Sequence, residues 1–410
     1  MTITHVPGGA SRIVTQGPNH TTIVTNAAGH GYVQKTFTHN NQTFVQRNYY
    51  VHGVAYTRVY HQYYYHGVYL QTYVPVRYYA LAFYGWAYAP WSRPIVYGWG
   101  WGYSPWYVYY GPYFTPYPAY ASASLWLTDY LISQSLAEAY QARQDAAADP
   151  QADAPAVGAS YSGQPLTPEA KQAIADEVQR QLAQERTAAQ NPNSADTANG
   201  LAQEFTGSGP WAFVVSNNLD VNTVAGQDCV VAEGDVLQLN AAPDPSSASA
   251  NVEVLSSQST DCGQGSVITV SLEALQEMQN HMRETIDEGL QTVQNHQNGL
   301  PAPPASASGQ VQAAVAGDAP APDQNAPAEL SQTAQQAKQT EQQVITQAST
   351  SGGAEASSAQ PVTIGLGQTI DQVIASLGPP KRIANLGSKQ IYVYNDMKIT
   401  FVNGKVTDVE

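Results

Sequence analysis

The sequence predicts a β-rich, multidomain protein in which a long antiparallel meander precedes smaller α+β units on disordered linkers. Three observations predict this class. Short β-branched and aromatic runs recur about every 10–13 residues near the start, long Ala/Gln/Ser/Pro stretches interrupt the chain, and only 12% of residues are charged. Such polar stretches bury too little apolar surface to offset an ordering entropy of about 1–2 kcal/mol per residue. The folded material is therefore expected in separate pieces.

Residues 1–148 are predicted to form a Tyr/Trp-rich β-meander followed by a helix. The expected strands cover residues 12–15, 22–25, 32–37, 43–50, 54–60 and 68–73. Gly, Asn and His turns separate them, as at His52-Gly53 and His66-Gly67. Between residues 75 and 120, Gly and Pro forbid long regular elements, while the aromatic rings supply apolar area. A helix is expected from about Ser124 to Ala148, with Ser124 as its N-cap.

Residues 149–203 are predicted to be a linker that carries one amphipathic helix, residues 167–187. Thr167 is a suitable N-cap, Pro168 suits the first helical position, and apolar residues recur at i+4 spacing. Residues 204–297 are predicted to form a small β-barrel of about six short strands followed by a helix from Ser271. Residues 298–360 return to Pro, Ala, Ser and Gln and are predicted to be a disordered linker.

Residues 361–410 are predicted to be a small α+β module. A strand at 362–364 precedes a helix that begins after Gly367 and stops at Gly378-Pro379-Pro380. Strands are expected at 390–394 and 398–401, and Asn403-Gly404 is a strong hairpin signal that leads into residues 405–409.

The two cysteines, Cys229 and Cys262, are predicted to form a disulfide. The chain has no CxxC pattern, which disfavours a redox or zinc motif. Free buried thiols are the alternative. A disulfide points to an oxidising compartment. The first residues lack the basic and apolar regions of a signal peptide, so either export is absent or the true start lies upstream. The second alternative fits the composition better. No apolar run is long enough for a transmembrane span.

Charge is distributed unevenly along the chain. Residues 1–128 contain six Lys or Arg and no Asp or Glu, whereas the remainder has a net charge of −21. A ligand of the first 128 residues is therefore expected to be neutral or anionic. Aromatic rings and Arg would stack on sugars or pair with phosphate and carboxylate. The ligand-binding candidates are Arg47, Tyr49, Tyr56, Arg58, Tyr60, Trp86, Trp91, Trp99, Trp101 and Trp106. The alternative is that these aromatic residues only fill a core.

The sequence indicates no enzyme. It contains no P-loop, no HExxH and no GxSxG, so no catalytic residue and no cofactor are predicted, and no nucleic-acid partner is expected. No metal site is predicted either. The one weak candidate is Glu277, His281 and Glu284, which share a helix face, although a solvated, ion-paired face is favoured there. Seven of the nine histidines precede residue 67, mostly in different turns, which favours tolerance of turn geometry over a multi-histidine metal or proton-sensing site.

Three segments resemble known bacterial families. The stretch from Gly365 to Pro380, with the Tyr-containing strand and the Asn403-Gly404 hairpin, resembles the SmpA/OmlA (BamE-like) envelope module, a small α+β lipoprotein domain associated with outer-membrane protein assembly. Residues 84–86 and 97–101 resemble the YXWGXW-type repeats of secreted proteins. Residues 213–270 are similar to bacterial SH3-like barrels.

These resemblances imply an extracytoplasmic protein of the periplasm, the outer membrane or the medium. The chain has no lipobox cysteine, so lipid anchoring is not implied. The expected function is that of a non-enzymatic scaffold that contacts other envelope proteins. The alternative is a protein that binds polysaccharide or lipid headgroups through its aromatic N-terminal half.

Overall fold

The structure is a computed structural model that describes residues 1–5, 9–17, 21–149, 161, 163–192, 200–258, 261–295, 297–351, 365, 367–378, 380, 382–386, 389–394, 397–402 and 404–409. The chain divides into two compact units, Met1–Thr340 and Glu341–Glu410. Several antiparallel sheets and eight helices make up the described part, which confirms a β-rich chain with added helices. Within that part, no helix combines the length and the apolar character that a membrane crossing requires.

The first sheet is a seven-stranded antiparallel meander in which each strand pairs with the next one along the chain. Its strands are β1 (Thr2–Thr4), β2 (Arg12–Gln16), β3 (Thr22–Thr25), β4 (Gly31–His39), β5 (Gln42–Val51), β6 (Val54–Tyr65) and β7 (Val68–Val74). The predicted meander is confirmed, and β1 is additional. Two-residue turns close the last three hairpins, and both turn residues have positive φ in each, as at His52 (49°) and Gly53 (84°). This is the turn geometry that matches the twist of paired strands.

The aromatic tract contains more helix than its Gly and Pro content predicts. After the short strand β8 (Arg77–Tyr79) come α1 (Leu81–Tyr88), α2 (Pro105–Tyr110) and α3 (Ala123–Ala148). The predicted N-cap of α3 is wrong, because Ser122 rather than Ser124 accepts a hydrogen bond from the backbone N–H of Leu125. Ser124 already lies in the first turn. The next helix, α4 (Pro168–Gln190), has the predicted N-cap, Thr167, and the short α5 (Gly200–Glu204) follows a gap.

The second sheet has six antiparallel strands in the order β11-β10-β14-β13-β12-β9. These are β9 (Trp211–Val214), β10 (Leu219–Thr223), β11 (Asp228–Val231), β12 (Val236–Leu239), β13 (Ser249–Ser256) and β14 (Val267–Ser271). No pairing between the end strands β9 and β11 closes this sheet in the described residues. Ser271 caps the long helix α6 (Leu272–Gln294), whose apolar stripe from Leu272 to Val293 is buried as predicted.

Residues 1–148 and 204–297 do not form separate compact units. Leu131 of α3, Ile174 of α4, Val214 of β9 and Ile286 of α6 belong to one buried cluster. The amphipathic helix of the predicted linker therefore contributes its apolar face to the core. Apolar stripes on α3, α4 and α6 each need a partner surface, and they provide it for one another.

The prediction of disorder throughout residues 298–360 is wrong for much of the segment. Strand β15 (Gln310–Gln312) pairs with β8, and helix α7 spans Ala326–Ser351. Ala326 and Leu330 pack on Ile23 and Val33 of the first sheet. The Ala-rich composition gives this helix only a narrow apolar face. Such a helix needs a partner surface, which the first sheet provides.

The second unit contains α8 (Ile370–Leu377) and a four-stranded antiparallel sheet. Its strands are β16 (Arg382–Leu386), β17 (Lys389–Val393), β18 (Lys398–Val402) and β19 (Lys405–Val409). Thr369 and Gln372 form a reciprocal capping box at the start of α8. The predicted helix and three of the strands are confirmed, and β16 is additional. Residues 362–364 and Asn403 lie outside the described residues.

Candidate functional site

The predicted binding residues of the meander form one cluster on β5 and β6. Arg47 lies directly opposite Arg58 in the strand register, and Tyr49 lies opposite Tyr56. Alternation along each strand places these side chains, with Tyr60, on one face of the sheet. Two like charges in directly opposed positions destabilise a strand pair unless counter-charges are supplied.

The counter-charges come from helix α6, 230 positions away in the sequence. Both terminal nitrogens of Arg47 donate to the carboxylate of Glu277, at 2.8 and 2.6 Å. Arg58 pairs with Glu284 at 3.7 Å and also with Glu288. The spacing of 277, 284 and 288 puts the three carboxylates on one helical face. The acidic ligand expected for these arginines is therefore part of the same chain.

The arginine side of the contact with Glu277 is buried. Arg47 is only 4% exposed, and its guanidinium group lies 4.1 Å from the ring centre of Tyr60 and 4.8 Å from that of Tyr32. Burial acts to lower the pKa of Arg47, but Glu277 and the tyrosines raise it, and the net pKa is well above the ordinary value. Arg47 is thus a permanent charge with a fixed partner.

Tyr60 connects the two arginine sites. Its hydroxyl donates to Glu284 at 2.6 Å and lies 2.9 Å from the hydroxyl of Tyr49. The ring of Tyr49 stacks on Tyr56 with centroids 4.9 Å apart. Burial raises the pKa of Glu284, although Arg58 and Tyr60 partly oppose that shift.

The weak metal candidate on α6 is divided among different protein partners. Glu277 binds Arg47, and Glu284 binds Tyr60 and Arg58. His281 lies 3.0 Å from the hydroxyl of Ser135 and 3.6 Å from Glu138 on α3. The structure therefore confirms ion pairing on this face, and its solvation varies along the helix, from Glu277 at 42% exposed to Glu284 at 17%.

The tryptophan candidates lie mostly in the core. Trp91 and Trp106 are each 9% exposed, and Trp86, Trp99 and Trp101 are half-buried against the same cluster. The rings pack on one another rather than forming a flat exposed platform. Trp99 stacks on Trp101 at 5.2 Å between ring centres.

A buried polar network fixes this aromatic cluster. The indole N–H of Trp99 donates to the hydroxyl of Tyr120 at 2.8 Å, and Tyr120 donates to Asp129 at 2.7 Å. Lys171 of α4 pairs with Asp129 at 2.7 Å and lies 3.6 Å from the ring centre of Tyr117. Asp129 is fully buried, and burial raises its pKa while Lys171 opposes the shift. The aromatic tract thus forms part of the core and is held by the buried ion pair of Asp129 and Lys171.

A second set of acidic groups with low exposure lies on α4, α5 and α6. Burial raises the pKa of Glu185 to about 8, and the nearby Asp287 adds to the shift. Burial also raises the pKa of Glu177 and Glu204, which lie together beside Arg180. A cavity of about 540 Å³ borders this region and is lined by residues of α1 and α4, including Arg180.

The predicted disulfide is present. Cys229 of β11 is bonded to Cys262, and their Cα atoms are 5.4 Å apart. Cys262 is fully buried in the core of the second sheet. The bond ties an end strand of that sheet to the loop between β13 and β14.

The fold brings together three other residues that no sequence pattern connects. His30 follows β3, His52 lies in the β5–β6 turn, and Asp145 lies in the last turn of α3. Their ligand atoms all lie within 4.8 Å of one another. The histidines in the turns are the only feature of the sequence that indicates this cluster. No local pattern marks the carboxylate of Asp145 as their neighbour.

Comparisons with protein-family models, with curated proteins and with solved structures each found no match for this chain.

Proposed function

We propose that this chain is a non-enzymatic scaffold of the bacterial cell envelope that contacts other envelope proteins. The main support is that α6 covers the arginine and tyrosine face of the meander. The residues best suited to grip an anionic ligand, Arg47 and Arg58, are already paired with carboxylates of their own chain. Their role is to build a rigid body.

The second unit is the proposed contact module. Its helix and antiparallel sheet, together with the sequence from Gly365 to Pro380, support the resemblance to the SmpA/OmlA envelope module. The disulfide favours an oxidising compartment, in keeping with that placement. The resemblances of the tryptophan tract to YXWGXW-type repeats and of residues 213–270 to SH3-like barrels agree with an extracytoplasmic scaffold.

Cross-linking and co-purification from fractionated cells test this proposal. The full chain is expected in the envelope fraction together with a defined protein partner. A chain that ends at Thr340 keeps the first compact unit and should lose that partner. Recovery of the full chain in the cytoplasm with both thiols reduced would contradict the proposal.

One observation favours the second candidate function, binding of polysaccharide or lipid headgroups. Tyr64 and Tyr69 are each 64% exposed and form a cross-strand pair with ring centres 5.1 Å apart. Exposed aromatic pairs of this kind can stack on sugars or lie at headgroup level. Replacement of both by Ala should abolish binding of the full chain to such a ligand, with Tyr88→Ala as the control, since Tyr88 is 54% exposed at the end of α1.

A further inference from the structure

Two histidines and an aspartate from distant parts of the chain meet beside the first sheet. The Nδ1 atom of His30 lies 2.7 Å from one carboxylate oxygen of Asp145, and the Nε2 atom of His52 lies 3.7 Å from the other. The two imidazole rings are 4.2 Å apart between centres. Three chain segments must fold correctly before these atoms converge.

The donor set has the chemistry of a zinc site. Two imidazole nitrogens and one carboxylate oxygen are typical Zn²⁺ ligands, with bonds of about 2.0–2.2 Å, so that donors around a tetrahedral ion are about 3.3 Å apart. Here all three ligand atoms lie within 4.8 Å of one another, so that small side-chain rotations suffice. His52 is 39% exposed, which leaves room for water at a fourth position.

A neighbouring amide orients the carboxylate and the first histidine together. The side-chain N–H of Asn26 donates to Asp145 at 2.7 Å, while its oxygen accepts from the backbone N–H of His30 at 3.0 Å. Partners of this kind, which hold ligands in place without touching the ion, accompany most metal sites in proteins.

The turn geometry accepts histidine at position 52 but does not require it. His52 has φ 49° in a two-residue turn of the type that favours Asn, Asp or Gly. The preceding hairpin uses Asn40 and Asn41 in the same geometry, and the following one uses His66 and Gly67. Asn at position 52 would therefore keep the turn and remove only the imidazole.

We propose that His30, His52 and Asp145 form a binding site for one Zn²⁺ ion, with the fourth position open to water or to a donor from a partner. The ion would tie the β3–β4 turn, the β5–β6 hairpin and the end of α3 together. Because those segments are far apart in the sequence, the ion would bind the folded chain in preference to the unfolded one and raise its melting temperature.

The test is a titration of the chelator-treated full chain with zinc chloride, followed by thermal unfolding and calorimetry. Wild type is expected to bind one equivalent with a higher melting temperature. His52→Asn should weaken binding at least about tenfold, as should Asp145→Asn. His66→Asn is the matched control, because it makes the same replacement in the same kind of turn, and it should bind zinc like wild type.

Ring NMR signals of the wild type give a readout that does not depend on variants. The signals of His30 and His52 should both shift with one equivalent of zinc, whereas those of His66 should not. The absence of any zinc-dependent change in wild type would overturn the proposal. Zinc binding that persists in both His52→Asn and Asp145→Asn would do so as well, because it would place the ion elsewhere.

Discussion

At the scale of single residues, Arg47 has the residue type and neighbours of a ligand-binding residue, yet it contacts other residues of its own chain. Its side chain is buried, has two hydrogen bonds to Glu277 and stacks between tyrosine rings. Glu277 is 42% exposed and water can replace its partner, so the cost of removing Arg47 lies mainly in the lost packing and hydrogen bonds of the buried guanidinium group. Arg47 therefore stabilises the fold even though its residue type suggests ligand binding.

Arg47→Met is expected to destabilise the chain by about 1–2 kcal/mol, because Met keeps much of the packing but loses the hydrogen bonds to Gln71 and Glu277, and the 42% exposed Glu277 side chain is then solvated by water. Urea unfolding measures this change. Arg12→Met is the control, since Arg12 is exposed on β2 of the same sheet, and it should change stability by less than about 0.5 kcal/mol. Equal effects of the two substitutions would contradict an internal role for Arg47.

Glu185 should make stability depend on pH. Its pKa rises from an ordinary value of 4.5 to about 8 because burial disfavours its charge. The folded chain therefore holds this proton more tightly than the unfolded chain does, and stability falls as pH rises from about 4.5 to about 8. Each pKa unit corresponds to about 1.4 kcal/mol, so the loss amounts to a few kcal/mol.

Glu185→Gln removes this titration, because Gln keeps the shape without the charge. The variant should be more stable than wild type at pH 8, and its stability should fall less between pH 5 and pH 8. Glu169→Gln, at an exposed position near the start of the same helix, should retain the wild-type slope. Urea midpoints at both pH values decide between these outcomes, and an unchanged slope in Glu185→Gln would count against a buried, protonated Glu185.

At the scale of elements, α6 covers the edge strand β7, which has no further strand beside it in the meander. The side chain of Asn280 accepts from the backbone N–H of Tyr73 at 2.8 Å and donates to the carbonyl of Gln71 at 2.6 Å. Asn280 thereby pairs with the N–H of Tyr73 and the carbonyl of Gln71 as the backbone of a neighbouring strand would. An uncovered edge strand is a template for aggregation, so this helix protects the sheet.

Asn280→Leu should cost about 2–3 kcal/mol, because two buried backbone groups of β7 lose their partner. Hydrogen exchange at the Tyr73 amide should accelerate more than exchange at amides in the centre of the sheet. Gln291→Leu, on the exposed side of the same helix, should leave both quantities unchanged. Unaltered exchange at Tyr73 in Asn280→Leu would exclude this edge contact.

Short sequence patterns predicted most of the strands and helices. They could not predict contacts between residues that are far apart in the sequence. The strands and their turns follow from alternating residues and from pairs such as His66-Gly67, whose chemistry acts within a few positions. The pairing of Arg47 with Glu277 spans 230 positions and leaves no local trace. Helix α7 was missed for a related reason, since its narrow apolar stripe is stable only where the first sheet offers a surface.

At the scale of the whole molecule, the first unit is one body built from segments that look separable in the sequence. Its main core combines α3, α4 and α6 with the aromatic tract. The disulfide adds a covalent constraint at the far end of the second sheet. The whole first unit is therefore expected to unfold as one cooperative system.

Cys229→Ser combined with Cys262→Ser should destabilise the first unit by about 3–4 kcal/mol, because the open loop gains entropy in the unfolded chain. Peptide mapping of the native, unreduced chain should recover the two cysteines in one linked pair. Complete alkylation of both thiols before reduction would contradict the bond and the inference of an oxidising compartment.

Helix α6 of the chain itself occupies the basic and aromatic face of the meander. Sedimentation of the full chain with anionic vesicles at low and high salt tests this directly. Arg47 and Arg58 are expected to contribute no binding, so that Arg58→Gln sediments like wild type at both salt concentrations. Binding by wild type that weakens with salt and is lost in a folded Arg58→Gln variant would contradict the claim, because it would show that this arginine faces an external anion.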